Sequence, residues 1–136
     1  MNPKELLQKY NCFISSVVMT SSGSVMKYPC IVWPMTNING EIIAWSSRSI
    51  GDPKDGLPKS LGMPGDSWKK TSVFGISNID KRLPLTIVEG FVSALATPNS
   101  VATCGKAIDE KQLEIIASAD CPQIVIAVDP DVKKES

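Results

Sequence analysis

Histidine is absent from this 136-residue chain, and its four cysteines, Cys12, Cys30, Cys104 and Cys121, stand far apart with no C-x-x-C pair. Zinc sites draw on cysteine and histidine at close, regular spacing, so no structural zinc is expected. The cysteines are expected to be reduced and to behave as small apolar residues of the interior. Neither sign of charge is in surplus: 14 basic and 14 acidic side chains cancel to a formal net charge of zero. That excludes nucleic-acid binding by bulk charge and leaves only a local basic patch. No apolar run approaches the roughly 20 residues that cross a bilayer, so no membrane partner is expected. The opening Met1-Asn2-Pro3-Lys4-Glu5 lacks the basic and then apolar regions of a secretion signal, which makes a cytoplasmic location the expectation.

What remains is an ordinary globular composition, 43% hydrophobic and 21% charged, in a chain of single-domain size. Residues 4–10 read as a turn or two of helix. The polar stretch Ser15 to Ser24, with Ser21-Ser22-Gly23-Ser24, reads as too flexible to centre an element, so the N-terminal arm is expected to pack loosely. Apolar Tyr28 to Met35, the turn chemistry of Asn37-Ile38-Asn39-Gly40, and apolar Glu41 to Trp45 predict a β-hairpin. Gly51 to Gly65, broken by glycines and prolines, predicts a long exposed loop.

Beyond Lys81-Arg82-Leu83-Pro84 the pattern changes. Leu85 to Val88, Ser100 to Thr103 and Gln123 to Val128 read as strands, with a short helix over Gly90 to Ala96 between the first two. A further helix opens at Asp109-Glu110, with Leu113, Ile116 and Ala117 predicted on its apolar face. Strand, helix, strand, helix, strand implies an α/β fold with a parallel sheet and flanking helices. The chain therefore divides into an α+β part over 1–82, carrying the hairpin and a basic loop, and a βαβαβ unit over 83–136.

Ligand sites of such sheets lie at the carboxyl ends of the strands. Glu89-Gly90 follows the first of them and Asp129-Pro130-Asp131 the third. Each motif alone is an ordinary way to leave a strand. Together they bring three carboxylates to one edge, a donor set suited to Mg²⁺, which takes one or two carboxylates and fills its shell with water and phosphate. Gly90 would allow a sharp turn and keep bulk away from a phosphate. Gly105, after the second strand, is either the floor of the site or a plain glycine turn.

These residues resemble the Toprim fold in the version used by DnaG-type DNA primases. The resemblance rests on Thr86 to Leu95, Val101 to Leu113 and Ile124 to Asp131. It implies that Glu89, Asp129 and Asp131 are the catalytic, metal-binding acids, with Mg²⁺ or Mn²⁺ as the cofactor. Upstream, Tyr28 to Met35 with Trp45-Ser46-Ser47-Arg48 resembles the primase hairpin that ends in a family arginine. Pro58-Lys59-Ser60-Leu61 and Trp68-Lys69-Lys70 resemble its basic segments. The resemblance thus implies Arg48, Lys59 and Lys69 or Lys70 as nucleotide or nucleic-acid contacts, the local patch that the neutral total leaves room for. Trp33 and Trp45 are expected in the core; Trp68 is a candidate for stacking on a base.

Primases of this type continue past the Asp-x-Asp motif with a helix, another strand and more acidic residues, whereas this chain closes with Val132-Lys133-Lys134-Glu135-Ser136. The Toprim unit is accordingly expected to be incomplete at its C-terminus. Three functions follow: a primase core that joins ribonucleotides on single-stranded DNA, with a replicative helicase as a further partner; a small Toprim nuclease; or a phage or mobile-element module that binds nucleic acid or a replication protein without catalysis.

Overall fold

The computed structural model describes residues 2–20, 22–53, 56–105 and 107–127. The chain opens on helix α1 (Pro3–Lys9), where the Asn2 side chain accepts from the Glu5 N–H at 2.8 Å. This is the usual way to satisfy a donor that the first helical turn leaves free. Four strands follow, β1 (Phe13–Met19), β2 (Val25–Thr36), β3 (Ile42–Ser49) and β4 (Ser60–Gly62), in an antiparallel sheet of order β1-β2-β3-β4.

The β2–β3 hairpin forms where the sequence predicts it. Asn37 directs the turn: its side-chain carbonyl accepts from the N–H groups of Asn39 and Glu41, each at 3.0 Å. Gly40 takes a φ of +79°, which favours glycine.

Two expectations for this half are corrected. The N-terminal arm is not loosely packed, because Phe13 to Met19 pairs with β2 from Val32 to Val25, with an irregularity between Ser15 and Val17. Strand formers Phe13, Ile14, Val17 and Val18 supply the β tendency that the serines mask, and the partner strand supplies the hydrogen bonds. Likewise the loop after Gly51 is not wholly irregular. Ser60 to Gly62 pairs with Arg48 to Ser46, and Tyr28 Oη and Ser47 Oγ donate to the carbonyls of Pro58 and Leu61, both at 2.6 Å. Leu57 and Leu61 then cover Val18, Tyr28, Cys30 and Val32.

Helix α2 (Ser67–Thr71) and a 3₁₀ turn over Ile76–Asn78 lead into the second half. There β5 (Leu85–Val88), α3 (Phe91–Ala96), β6 (Ser100–Ala102), α4 (Glu110–Ala117) and β7 (Ile124–Ile126) alternate as the sequence predicts. The strands form a parallel sheet of order β6-β5-β7. The central strand, β5, is therefore the one that runs into Glu89. The two sheets are joined through Val73 and Phe74: Val73 N–H donates to Thr36 at the end of β2, and Phe74 N–H to Ala102 of β6, both at 2.9 Å.

On α4 the buried face is Gln112, Ile115 and Ile116, continued by Ala119, whereas Leu113 and Ala117 are exposed. The expected apolar face was rotated because the polar Gln112 was left out of it. That side chain is fully paired in the interior, its Nε2 lying 3.1, 2.9 and 3.0 Å from the carbonyls of Lys69, Ser72 and Thr103. A buried amide so paired packs as well as an apolar residue and ties α4 to α2 and to β6.

Candidate active site

Two concavities stand out among the described residues. The larger, about 550 Å³, is lined by Phe13, Val17, Met19, Ile42, Trp45 and other largely apolar residues, with no charged group among them. It offers surface but no chemistry. The smaller, about 320 Å³, lies where the two sheets meet and is lined by Trp33, Ser46, Arg48, Ser60, Glu89, Gly90, Phe91, Val92, Ser93, Cys104 and Gly105. It holds a carboxylate, a guanidinium and three hydroxyls in one space.

The topology explains this grouping. Trp33 of β2 is directly opposite Ser46 of β3, and Arg48 is two residues further along β3, hence on the same face. Ser60 pairs with Arg48 across β3 and β4. From the other sheet come the carboxyl end of β5, with Glu89 and Gly90, and the turn after β6, with Cys104 and Gly105. Phe91 is the first residue of α3 and stacks on Trp33 with ring centroids 4.1 Å apart and planes within 2° of parallel. Phe74 meets Phe91 edge-on at 5.1 Å, and Tyr10 lies 5.4 Å beyond it. A row of four aromatic side chains thus backs the cleft.

Of the residues singled out in the sequence, Arg48, Glu89, Gly90 and Gly105 line this one cleft. Lys59 adjoins Ser60 but is exposed, 4.0 Å from the carboxylate of Asp52, which is more exposed still. Lys69 and Lys70 lie on α2 and do not line the cleft; Lys69 is 3.3 Å from Asp66. Asp129 and Asp131 lie outside the described residues. Among the described residues no group of three or more acidic or cysteine side chains is close enough to hold a metal.

The tryptophans divide differently from expectation. Trp68 is buried and donates its indole N–H to Met63 at 2.9 Å, so it is a core residue and presents no face for a base. Trp33 is also buried, but its Nε1 has no hydrogen-bond partner. The Cys104 thiol beside it is pushed up to about 11 by burial, which outweighs the opposite pull of the Trp33 indole N–H. Sequence reasoning missed Trp33, Ser46, Ser60, Phe91 and Cys104 as members of the cleft. Only the hairpin register, which puts positions 46 and 48 on one face, could have pointed to any of them.

The glycines also behave differently. Gly90 has φ −110°, and a Cβ there would meet nothing within 4 Å, so the backbone alone does not demand glycine. At the other turn it is Cys104, not Gly105, that takes the left-handed conformation, with φ +60°. Non-glycine residues so held concentrate at binding and active sites.

No protein-family model matches the chain. It is 33% identical over 97 residues to a DNA primase of Listeria monocytogenes, an alignment that takes in 63% of this chain and 15% of the relative. Among solved structures, it is similar to the Aquifex aeolicus primase zinc-binding and RNA polymerase domains, with a TM-score of 0.69 and 17% identity over 99% of this chain and 42% of that one. The RNA polymerase domain of Mycobacterium tuberculosis primase DnaG gives 0.67 and 17%, covering 95% and 56%. A DnaG primase catalytic domain bound to single-stranded DNA gives 0.69 and 15%, covering 96% and 51%. The chain spans about half the length of these solved relatives and far less of the curated one. The described residues share the fold of part of the primase catalytic core, a parallel sheet with flanking helices beside an antiparallel hairpin sheet, and at the level of the fold the resemblance read from the sequence holds.

Proposed function

We propose that this chain, folded as the catalytic core of a DnaG-type primase, serves the metal-dependent joining of ribonucleotides on a single-stranded DNA template. The observation that carries the reading is the placement of Arg48 and Glu89 on the walls of one polar cleft between the two sheets. Phosphoryl transfer needs little covalent help from a protein. It needs an anionic substrate held in register and its charge balanced.

Glu89 is half-exposed in that cleft, and its side chain makes no hydrogen bond or ion pair among the described residues, which leaves the carboxylate oxygens available. A free carboxylate in a polar, water-accessible cleft fits Mg²⁺ or Mn²⁺, and Asp129 and Asp131 would complete the donor set. When bound, the metal would supply a Lewis acid that balances charge on phosphate oxygens. Arg48, exposed on the facing strand, would bind phosphate through its planar fork of donors. Ser46 and Ser60 would add neutral hydrogen bonds, and Gly90 would leave room for the substrate. Lys59, Lys69 and Lys70, outside the cleft, would meet the template or the incoming nucleotide as surface charges. A replicative helicase as partner and a cytoplasmic location belong to the same reading.

The test is one reaction with purified chain, single-stranded DNA, labelled ribonucleotides and Mn²⁺, run beside Glu89→Gln and resolved on a gel. New short RNA that disappears in the variant, at an unchanged melting temperature, is the expected result. RNA synthesis that survives Glu89→Gln would refute the site. DNA shortening that depends on Glu89 would replace the primase reading with a nuclease. Neither product, with metal-dependent nucleotide binding intact, would leave a binding module.

A further inference from the structure

The cleft has its charged groups on two different sheets, so their separation depends on whatever fixes one sheet against the other at that place. The backbone bridges that join the sheets run through Thr36, Val73, Phe74 and Ala102, none of which lines the cleft. Within the cleft wall, Trp33 stacks on Phe91 across the two sheets. Trp33 shares a strand pair and a face with Ser46 and Arg48. Phe91 stands two residues after Glu89, at the start of α3.

We propose that Trp33 is a positioning residue: through its stack on Phe91 it sets the spacing of Arg48 and Glu89, and so the fit of the cleft to a nucleoside triphosphate. This rests on the nucleotide-binding reading above. Three observations support it. The rings are almost parallel and 4.1 Å apart, and both residues are only 5% exposed, so the contact is close and dry. Phe91 is also held edge-on by Phe74 at 5.1 Å, which stops it from following a smaller neighbour. Finally, the Trp33 Nε1 is buried with no partner. An orphan donor is unfavourable and calls for a reason; here the benefit lies in the broad flat ring and not in the N–H. Phe is therefore an adequate replacement at this position and Leu is not.

The experiment measures the affinity of the chain for a labelled ribonucleoside triphosphate with Mn²⁺, by calorimetry, for wild type, Trp33→Phe, Trp33→Leu, Arg48→Ala and the Trp33→Leu/Arg48→Ala double variant. Trp33→Phe should bind within about twofold of wild type and Trp33→Leu about tenfold more weakly. The double variant should be no weaker than Arg48→Ala, because residues that act through one another are not additive. Independent losses that multiply would overturn the proposal, since a merely structural residue adds its effect to that of Arg48. It would fall equally if Trp33→Leu bound like wild type, or if Trp33→Phe bound as poorly as Trp33→Leu. Should Trp33→Leu fail to fold, Phe91→Leu poses the same question from the other side of the stack, with the same non-additivity expected. Absence of nucleotide binding in wild type would refute the functional reading itself and the inference with it.

Discussion

The backbone N–H of Cys104 donates to the carbonyl of Glu89 at 2.8 Å, beyond Val88 and Ala102, the last paired residues of β5 and β6. With the Thr103 N–H on Val88 at 3.2 Å, it carries the parallel ladder past the strand ends and fixes the backbone from which the Glu89 side chain leaves. The carboxylate thus rises from a rigid element and not from a free loop, as a group that must hold a metal or a phosphate requires.

The fold does not need glycine at Gly90, where φ is −110° and the space around a Cβ is open. Gly90→Ala should therefore change the unfolding free energy by less than about 1 kcal/mol, the scale of an N-cap difference. The same methyl group points to a cleft that is proposed to take a phosphate, so nucleotide affinity should fall several-fold. Thermal melts and binding titrations on one preparation separate the two effects.

Gln112 presents its amide to three carbonyls, those of Lys69, Ser72 and Thr103, and its side-chain oxygen accepts from the Asp109 N–H at 3.1 Å. Gln112→Ala leaves those groups unpaired and opens a cavity. A loss of about 2–4 kcal/mol in urea unfolding is expected. A change below about 1 kcal/mol would mean that water or repacking replaces the amide.

At Gly62 the constraint is space and not φ. A Cβ there would lie 2.6 Å from the Trp68 ring carbon Cζ2 and 2.9 Å from Cη2. Gly62→Ala should displace the buried indole, lengthen its 2.9 Å bond to the Met63 carbonyl and cost about 1–3 kcal/mol. Altered tryptophan emission together with the lowered unfolding midpoint would report it.

Burial raises the Cys12 thiol from 9.0 to about 12 and the Cys104 thiol from 9.0 to about 11. Between those limits the folded state keeps a proton that the unfolded state releases, so the unfolded state binds fewer protons and stability declines with pH. The contribution is complete below about pH 9 and is lost as pH rises toward 11 to 12. The urea midpoint should accordingly fall across that window, and less steeply in Cys104→Ser. Alkylation of both thiols near neutral pH should be slow, because little thiolate is present.

Local chemistry decided much of this protein, and decided it legibly. The Asn37 to Gly40 turn, the alternation that makes β5, α3, β6, α4 and β7, and the position of Glu89 at a strand end all follow from short-range periodicity and turn residues. What the sequence alone did not decide depends on partners distant in the chain. β1 and β4 exist because β2 and β3 offer them hydrogen bonds. Trp68 is buried because Gly62 leaves room for its ring, and α4 turns Gln112 inward because three carbonyls await it. Arg48 and Glu89 belong to different sheets, and no local pattern relates them. They share a cleft only because the hairpin sheet meets the carboxyl edge of the parallel sheet, where Trp33 stacks on Phe91.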